Sequence, residues 1–322
     1  MVFPQFLVLP RVTRDLILQN LDPIDILNFS LTSKKSLYLA KSAKVQVDAF
    51  NWDFKTDGNV EIKISKNDYT PPTIIVLDNF YNVKLDKKKE DCLIYSEIAS
   101  IPIALLKKPS PFEVFIFYRP VVNGEENPVE MISQLLLGIL KVKTFSCETK
   151  CNSKIPFYIF NFTRSFEKLS LSSKKSLTHE EAQFLLEDLT VDNFRLTSKV
   201  NPGFLYTKPL SYKYLSLTEA SWFTKETLMN LVDCERITLS YHPHISNNEV
   251  TEFLEKWQHG GFPKLKVLAV FFSKTEWNLA MGPLDDRGLQ VLKDSLGNVG
   301  KIQIIRTKTM FFYVNDAEFE SK

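Results

Sequence analysis

Phe6 to Lys44, FLVLPRVTRDLILQNLDPIDILNFSLTSKKSLYLAKSAK, is the stretch on which the reading of this 322-residue chain turns. Its apolar spacing predicts three short helices. Pro10 precedes a first segment, Val12 to Leu21, whose apolar residues are Val12, Leu16, Ile17, Leu18 and Leu21. Asp22 has the character of an N-cap. Pro23 follows at the first helical position, where its missing N–H costs no hydrogen bond, and Asp25 stands three residues after the cap. The second helix, Pro23 to Leu31, carries Ile24, Ile26, Leu27, Phe29 and Leu31, and Ser33 can cap a third that ends near Lys41. A helix facing one core needs a single apolar stripe. These helices are apolar almost all the way round, and a unit of about 40 residues is near the lower limit for independent folding. Part of their surface therefore needs covering, by the rest of the chain or by a partner.

Composition bounds the remainder. An apolar content of 44% suits a sizeable core, and 40 Lys and Arg against 38 Asp and Glu call for neither nucleic acid nor an acidic membrane surface. No apolar run approaches the roughly 20 residues that span a bilayer. Pro4 and Pro10 interrupt the N-terminus, so no leader peptide is expected. Cys92, Cys147, Cys151 and Cys234 are too scattered for a disulfide framework, which points to a reducing cytoplasmic or nuclear setting.

After Lys44 the period changes from helix to strand. Phe50, Trp52 and Phe54 alternate, as do Val60, Ile62 and Ile64; Thr73 to Leu77 and Val114 to Tyr118 read as buried strands. The run Lys87-Lys88-Lys89-Glu90-Asp91 reads as a solvated loop, its acidic neighbours cancelling its field. From Asn127 a repeat of the form apolar-x-x-apolar-x-apolar appears. It occurs as Val142/Phe145/Cys147, Phe166/Leu169/Leu171, Val191/Phe194/Leu196, Tyr212/Leu215/Leu217, Cys234/Ile237/Leu239, Leu265/Leu268/Val270 and Val299/Ile302/Ile304. The middle positions are 24, 25, 21, 22, 31 and 34 residues apart. The first four steps fall in the range of roughly 20–29 residues of leucine-rich repeats. Helices are predicted between most of the strands. Asn127-Pro128 opens one, Thr178 and Glu181 form a capping box, Thr224 caps a third, and Ser246 with Glu249 caps a helix that Gly260-Gly261 and Pro263 end. Lys199 to Pro209 reads as a loop. The fold class expected is α/β: a three-helix N-terminal part (1–45), a β-rich connector (46–125), and a short, irregular leucine-rich-repeat-like solenoid (126–322).

Few residues suggest chemistry. His242-Pro243-His244, with Glu249 and His259, supplies residue types that zinc uses, but Pro243 rules out a helical i, i+4 pair and no H-E-x-x-H or paired C-x-x-C occurs. Surface-loop histidines are the simpler reading. Cys147 and Cys234 occupy inward repeat positions. There is no G-x-S-x-G and no glycine-rich phosphate loop. Glu180-Glu181 and Asp285-Asp286 fall at helix starts, where the helix dipole accounts for them. No enzyme, cofactor or metal is expected.

Two resemblances give these pieces a meaning. Leu9-Pro10, the helix leading into Leu21-Asp22-Pro23-Ile24-Asp25-Ile26-Leu27, and Leu31-Thr32-Ser33-Lys34-Lys35 closely resemble an F-box; Val12, Thr13, Arg14 and Ser36 depart from the common pattern. Cys234-Glu235-Arg236-Ile237-Thr238-Leu239, then Phe253-Leu254, Trp257, Gly260-Gly261 and Leu265, resemble the F-box-associated type 2 region, which follows the F-box in families expanded in nematodes. The first resemblance implies docking on a Skp-type adaptor and, through it, a cullin-based ubiquitin ligase. Its contact residues would be Leu9, Pro10, Ile17, Leu18, Leu21, Pro23, Ile24, Leu27, Leu31, Ser33 and Lys34. The second implies that the C-terminal region holds a target protein of unknown identity. On a repeat sheet the positions alternating with the core form a surface, and Lys168, Arg195, Tyr214 and Arg236 are the candidate target contacts, because Tyr and Arg are enriched among binding hot spots. Two other readings stay open: a binding scaffold whose F-box docks the adaptor without leading to degradation, and an enzyme built around His242 and His244.

Overall fold

The computed structural model describes residues 6, 8–67, 71–79, 93–96, 103–107, 113–118, 127–151, 154–218, 220, 222–240, 245–271, 283, 289–305 and 309–315. The chain divides into two compact units. Met1–Cys151 with Pro156–Arg164 form the first, and Asn152–Ile155 with Ser165–Lys322 the second. The architecture is α/β overall, with N-terminal helices followed by mixed sheet.

The first unit begins with α1 (Arg11–Asn20), α2 (Pro23–Ser30) and α3 (Lys34–Ala43). Local chemistry sets their ends. The Ser33 hydroxyl accepts the Ser36 N–H at 3.0 Å, which satisfies one of the first-turn donors of α3. Asp22 stands at the N-cap of α2 with extended backbone but makes no side-chain capping bond there; Pro23 at the first position starts that helix. The strands that follow are β1 (Val45–Phe54), β2 (Val60–Ser65), β3 (Thr73–Asn79), β4 (Leu93–Ser96), β5 (Ile103–Lys107) and β6 (Glu113–Tyr118). Helix α4 (Pro128–Ile139) and strand β7 (Leu140–Cys151) complete the set.

Within this unit the strands lie in the order β7-β1-β2-β3-β6-β5-β4. The β1/β7 and β3/β6 pairs are parallel and the others antiparallel. The helices α1 and α2 pack against β1, and α2 and α3 against α4. Phe50 and Trp52, two apart on β1 and so on one face, are completely buried. The Trp52 indole N–H donates to the Ser133 hydroxyl of α4 at 2.9 Å, which removes the cost of burying that donor. Phe145 of β7 stacks on the same indole, ring centres 5.9 Å apart.

Part of the apolar surface of these helices is covered within this unit. Pro23, Ile24, Ile26, Leu27 and Leu31 of the α2 segment are buried, and so are Ser36, Leu39, Ala40 and Ala43 on one face of α3. On α1 only Leu18 is buried.

The second unit holds β8 (Ser165–Ser173), α5 (His179–Glu187), β9 (Thr190–Thr197), β10 (Tyr214–Thr218), α6 (Lys225–Met229), β11 (Arg236–Ser240), α7 (Asn247–Gln258), β12 (Val267–Phe271), β13 (Gln290–Lys293), β14 (Val299–Ile305) and β15 (Thr309–Val314). Capping boxes at Thr178/Glu181 and Ser246/Glu249 start α5 and α7. Residues 201–213, between β9 and β10, hold neither helix nor strand.

Strands β8 to β12 run parallel, each paired with the next. Their register sets Leu169, Phe194, Leu215, Ile237 and Leu268 on one rung, all fully buried. These are the middle positions of the sequence repeat, so the repeat phase and the sheet register coincide there. The two outermost sets of the repeat behave differently. Val142, Phe145 and Cys147 pair with Val47, Phe50 and Trp52 of β1, in the first unit. Ile302 stays on the rung of Leu268 but one strand further out, because β15 enters antiparallel between β12 and β14 and places Phe312 between them. A chain that turns back through short hairpins gives antiparallel neighbours; a parallel neighbour needs a crossover of a dozen or more residues.

Candidate functional site

Two surfaces carry the candidate residues, one in each unit. On the helical surface the side chains divide by burial. Leu18, Pro23, Ile24, Leu27 and Leu31 are packed inside the unit; Leu9, Leu21 and Ser33 are half-buried; Pro10, Ile17 and Lys34 are exposed. The most exposed apolar residues at α1 are others than these. Val12 is 70% exposed and Leu16, one turn on, 55%, with Val8 just before the helix at 81%. Side chains four apart stack on one helix face, so Val12 and Leu16 form an apolar stripe. Sequence reasoning did not select Val8, Val12 or Leu16 as contacts. The signal was available only as a surplus: more apolar positions on α1 than one buried stripe uses.

On the sheet surface the register collects what the repeat alignment proposed. Lys168, Asn193, Tyr214 and Arg236 share one outward row, and Ser170, Arg195, Ser216 and Thr238 the next. Lys168 and Arg195 are exposed, and Tyr214 and Arg236 half-buried. The Tyr214 hydroxyl donates to the Thr238 hydroxyl at 3.4 Å, and the Asn193 amide donates to the Glu167 carbonyl at 3.1 Å. Burial works to raise the Tyr214 pKa. Its hydrogen bonds with Thr238, Arg195 and Ser216, together with the Arg195 charge, outweigh that and hold the phenol below its ordinary range.

A cleft of about 390 Å³ lies elsewhere in the second unit, against Trp257, Leu265, Asn298 and Asn315. Its lysines are already paired, Lys264 with Asp233 at 2.8 Å and Lys266 with Glu235 at 2.6 Å. None of the candidate target contacts lines it.

Cys147 and Cys234 are buried thiols outside any disulfide. Burial pushes the Cys234 thiol up to about 11, so at neutral pH it is a packed apolar group that donates to the Leu210 carbonyl. Among the described residues no three His, Cys, Asp or Glu side chains gather as a metal site; His242 and His244 lie outside those residues. Lys87 to Asp91 and Asp285-Asp286 also lie outside them.

A model of the F-box domain matches residues 6–47, the three-helix segment, and a model described as F-box associated matches residues 208–270, from just before β10 to the end of β12. The chain therefore carries an F-box domain and an F-box associated type 2 region. No curated protein and no solved structure matches it.

Proposed function

We propose that this protein is a substrate-recognition subunit of a Skp–cullin–F-box ubiquitin ligase. Its F-box docks a Skp-type adaptor and its second unit binds the protein to be modified. The carrying observation is the apolar stripe of Val12 and Leu16, with Val8 beside it, left open on the first helix of the F-box segment. Fully burying a side chain of this kind stabilises a complex by roughly 1.5–3 kcal/mol, so two or three of them outweigh a good part of the cost of association. The chain itself performs no chemistry in this reading. It raises the local concentration of a target lysine at the partner enzyme. The in-register parallel strands β8 to β12 fit a short, irregular leucine-rich-repeat-like array, with Lys168, Arg195, Tyr214 and Arg236 on its open face. The cytoplasm, the nucleus or both are its proposed place of action, where such ligases meet their targets, and no cofactor is called for.

The test is co-purification. The full chain, tagged at its C-terminus and co-expressed with a Skp-type adaptor and cullin, should bring both down, and Val12→Ser with Leu16→Ser should lose them. Retention of the adaptor by that variant, with folding intact by circular dichroism, would overturn docking through α1.

A further inference from the structure

The outward face of β8 to β11 has an uneven charge. Its two rows hold Lys168, Arg195 and Arg236 and no carboxylate among their eight positions. One position before Asn193 and Arg236 the acidic side chains are paired: Lys213 bonds Asp192 at 2.7 Å and Lys266 bonds Glu235 at 2.6 Å. Glu167, exposed, directly precedes Lys168 on β8. Arg195 is flanked across the strands by Ser170 and Ser216, both nearly covered, so its guanidinium stands above a low hydroxyl floor. Arg195 is also in hydrogen-bond contact with the Tyr214 hydroxyl.

We propose that this face recognises its target through an acidic segment, an extended stretch with carboxylate side chains at alternate positions, laid across the strands. The proposal rests on the second unit being the target-binding half. Neighbouring strands lie about 4.8 Å apart, so cations on β8, β9 and β11 are spread over roughly 14 Å. Alternate side chains of an extended chain recur about every 7 Å, and three carboxylates at i, i+2 and i+4 cover the same span. A single phosphate group needs cations that converge on one point. Here they stand on three strands and two rows, which suits several separate monoanions. Between them Thr238, whose hydroxyl accepts from Tyr214, keeps its own proton to donate to a carboxylate oxygen. Complementarity of this kind sets which partner binds and how fast more than it sets raw affinity, so a moderate, salt-sensitive interaction is expected.

The experiment titrates the full chain, bound to its adaptor where that complex forms, with fluorescent ten-residue peptides. One alternates Glu and Thr, a second alternates Gln and Thr, and a third is the Gln–Thr peptide carrying one phosphothreonine. The Glu–Thr peptide should bind at least about tenfold more tightly than the Gln–Thr peptide and weaken as salt is raised. Lys168→Gln with Arg195→Gln should lose that tenfold preference, while Lys168→Arg with Arg195→Lys should keep it. Equal binding of the Glu and Gln peptides, no binding of either, or an unaffected Gln variant would overturn the proposal. Preference for the phosphothreonine peptide over the Glu–Thr peptide would overturn the acidic segment and assign the face to a phosphate. Adaptor co-purification, read on the same preparations, separates this outcome from the ligase reading: adaptor loss undermines that reading without touching peptide preference.

Discussion

Asp53 is 4% exposed and lies directly opposite Glu61 across the β1/β2 pair. Like charges facing each other across strands destabilise a sheet. Two lysines reverse the sign here. Lys55 lies 2.5 Å from Asp53 and 3.0 Å from Glu61, and Lys63 lies 2.9 Å and 3.2 Å from the same two. Burial works to raise the Asp53 pKa, but hydrogen bonds from Lys55 and Lys63 and their charges outweigh it and hold the carboxyl below its ordinary value. With the folded pKa below the unfolded value of about 3.9, the stabilisation is present above that pH and is lost as pH falls through the folded value. Asp53→Asn should therefore destabilise the first unit by about 1–3 kcal/mol at pH 7, because Lys55 and Lys63 each lose one of their two acidic partners. Thermal melts from pH 7 to pH 3 should show the gap between variant and wild type closing below about pH 4. A gap that stays constant over that range would mean that the carboxylate charge contributes nothing.

At the scale of the element, α1 and α2 differ although both are rich in apolar residues. Burial of α2 against β1 and α4 makes it part of the core, whereas α1 commits Leu18 alone to full burial and leaves Val12 and Leu16 in water. Exposed apolar area on one helix is a liability in a free protein. The chain expressed without an adaptor should associate in a concentration-dependent way, and Val12→Ser with Leu16→Ser should return it to a monomer. Sedimentation velocity of the two proteins checks this; a monomeric wild type at high concentration would show that the stripe is too small to drive association. Three helix starts, in contrast, were readable residue by residue. Ser33, Thr178 and Ser246 bond the backbone within three residues of themselves, and a cap of that range is written in the local sequence.

At the scale of the molecule, the F-box segment lies in the first unit and the candidate target contacts in the second, each with its own core. Docking and recognition are therefore expected to be separable. Leu9 is half-buried and Pro10 stands at the N-cap position of α1. Leu9→Ala with Pro10→Ala should weaken adaptor binding by at least about tenfold, equivalent to 1.4 kcal/mol, and leave binding of a target to the second unit unchanged. The variant would then act as a dominant negative that holds targets without delivering them. Pull-downs scored for adaptor and target together check it: loss of both would mean that the two units fold as one, and retention of both would move docking away from the N-terminal segment.

The sequence alone determined what depends on short range. Caps, the switch from helical to alternating period after Lys44, and the phase that places Leu169, Phe194, Leu215, Ile237 and Leu268 on one rung all follow from residues near one another and from repetition. Two features depended on the tertiary structure. Which apolar residues of the N-terminal helices are covered was decided by β1 and α4, the latter about a hundred residues further along the chain. The place of β15 between β12 and β14 was decided by hairpin pairing, since Phe312 has the same apolar character whether it faces a neighbouring strand or fills a core beneath it. Periodicity records that a side chain will be buried. The partner that buries it is chosen by long-range packing, where many pairings compete and only the assembled core selects among them.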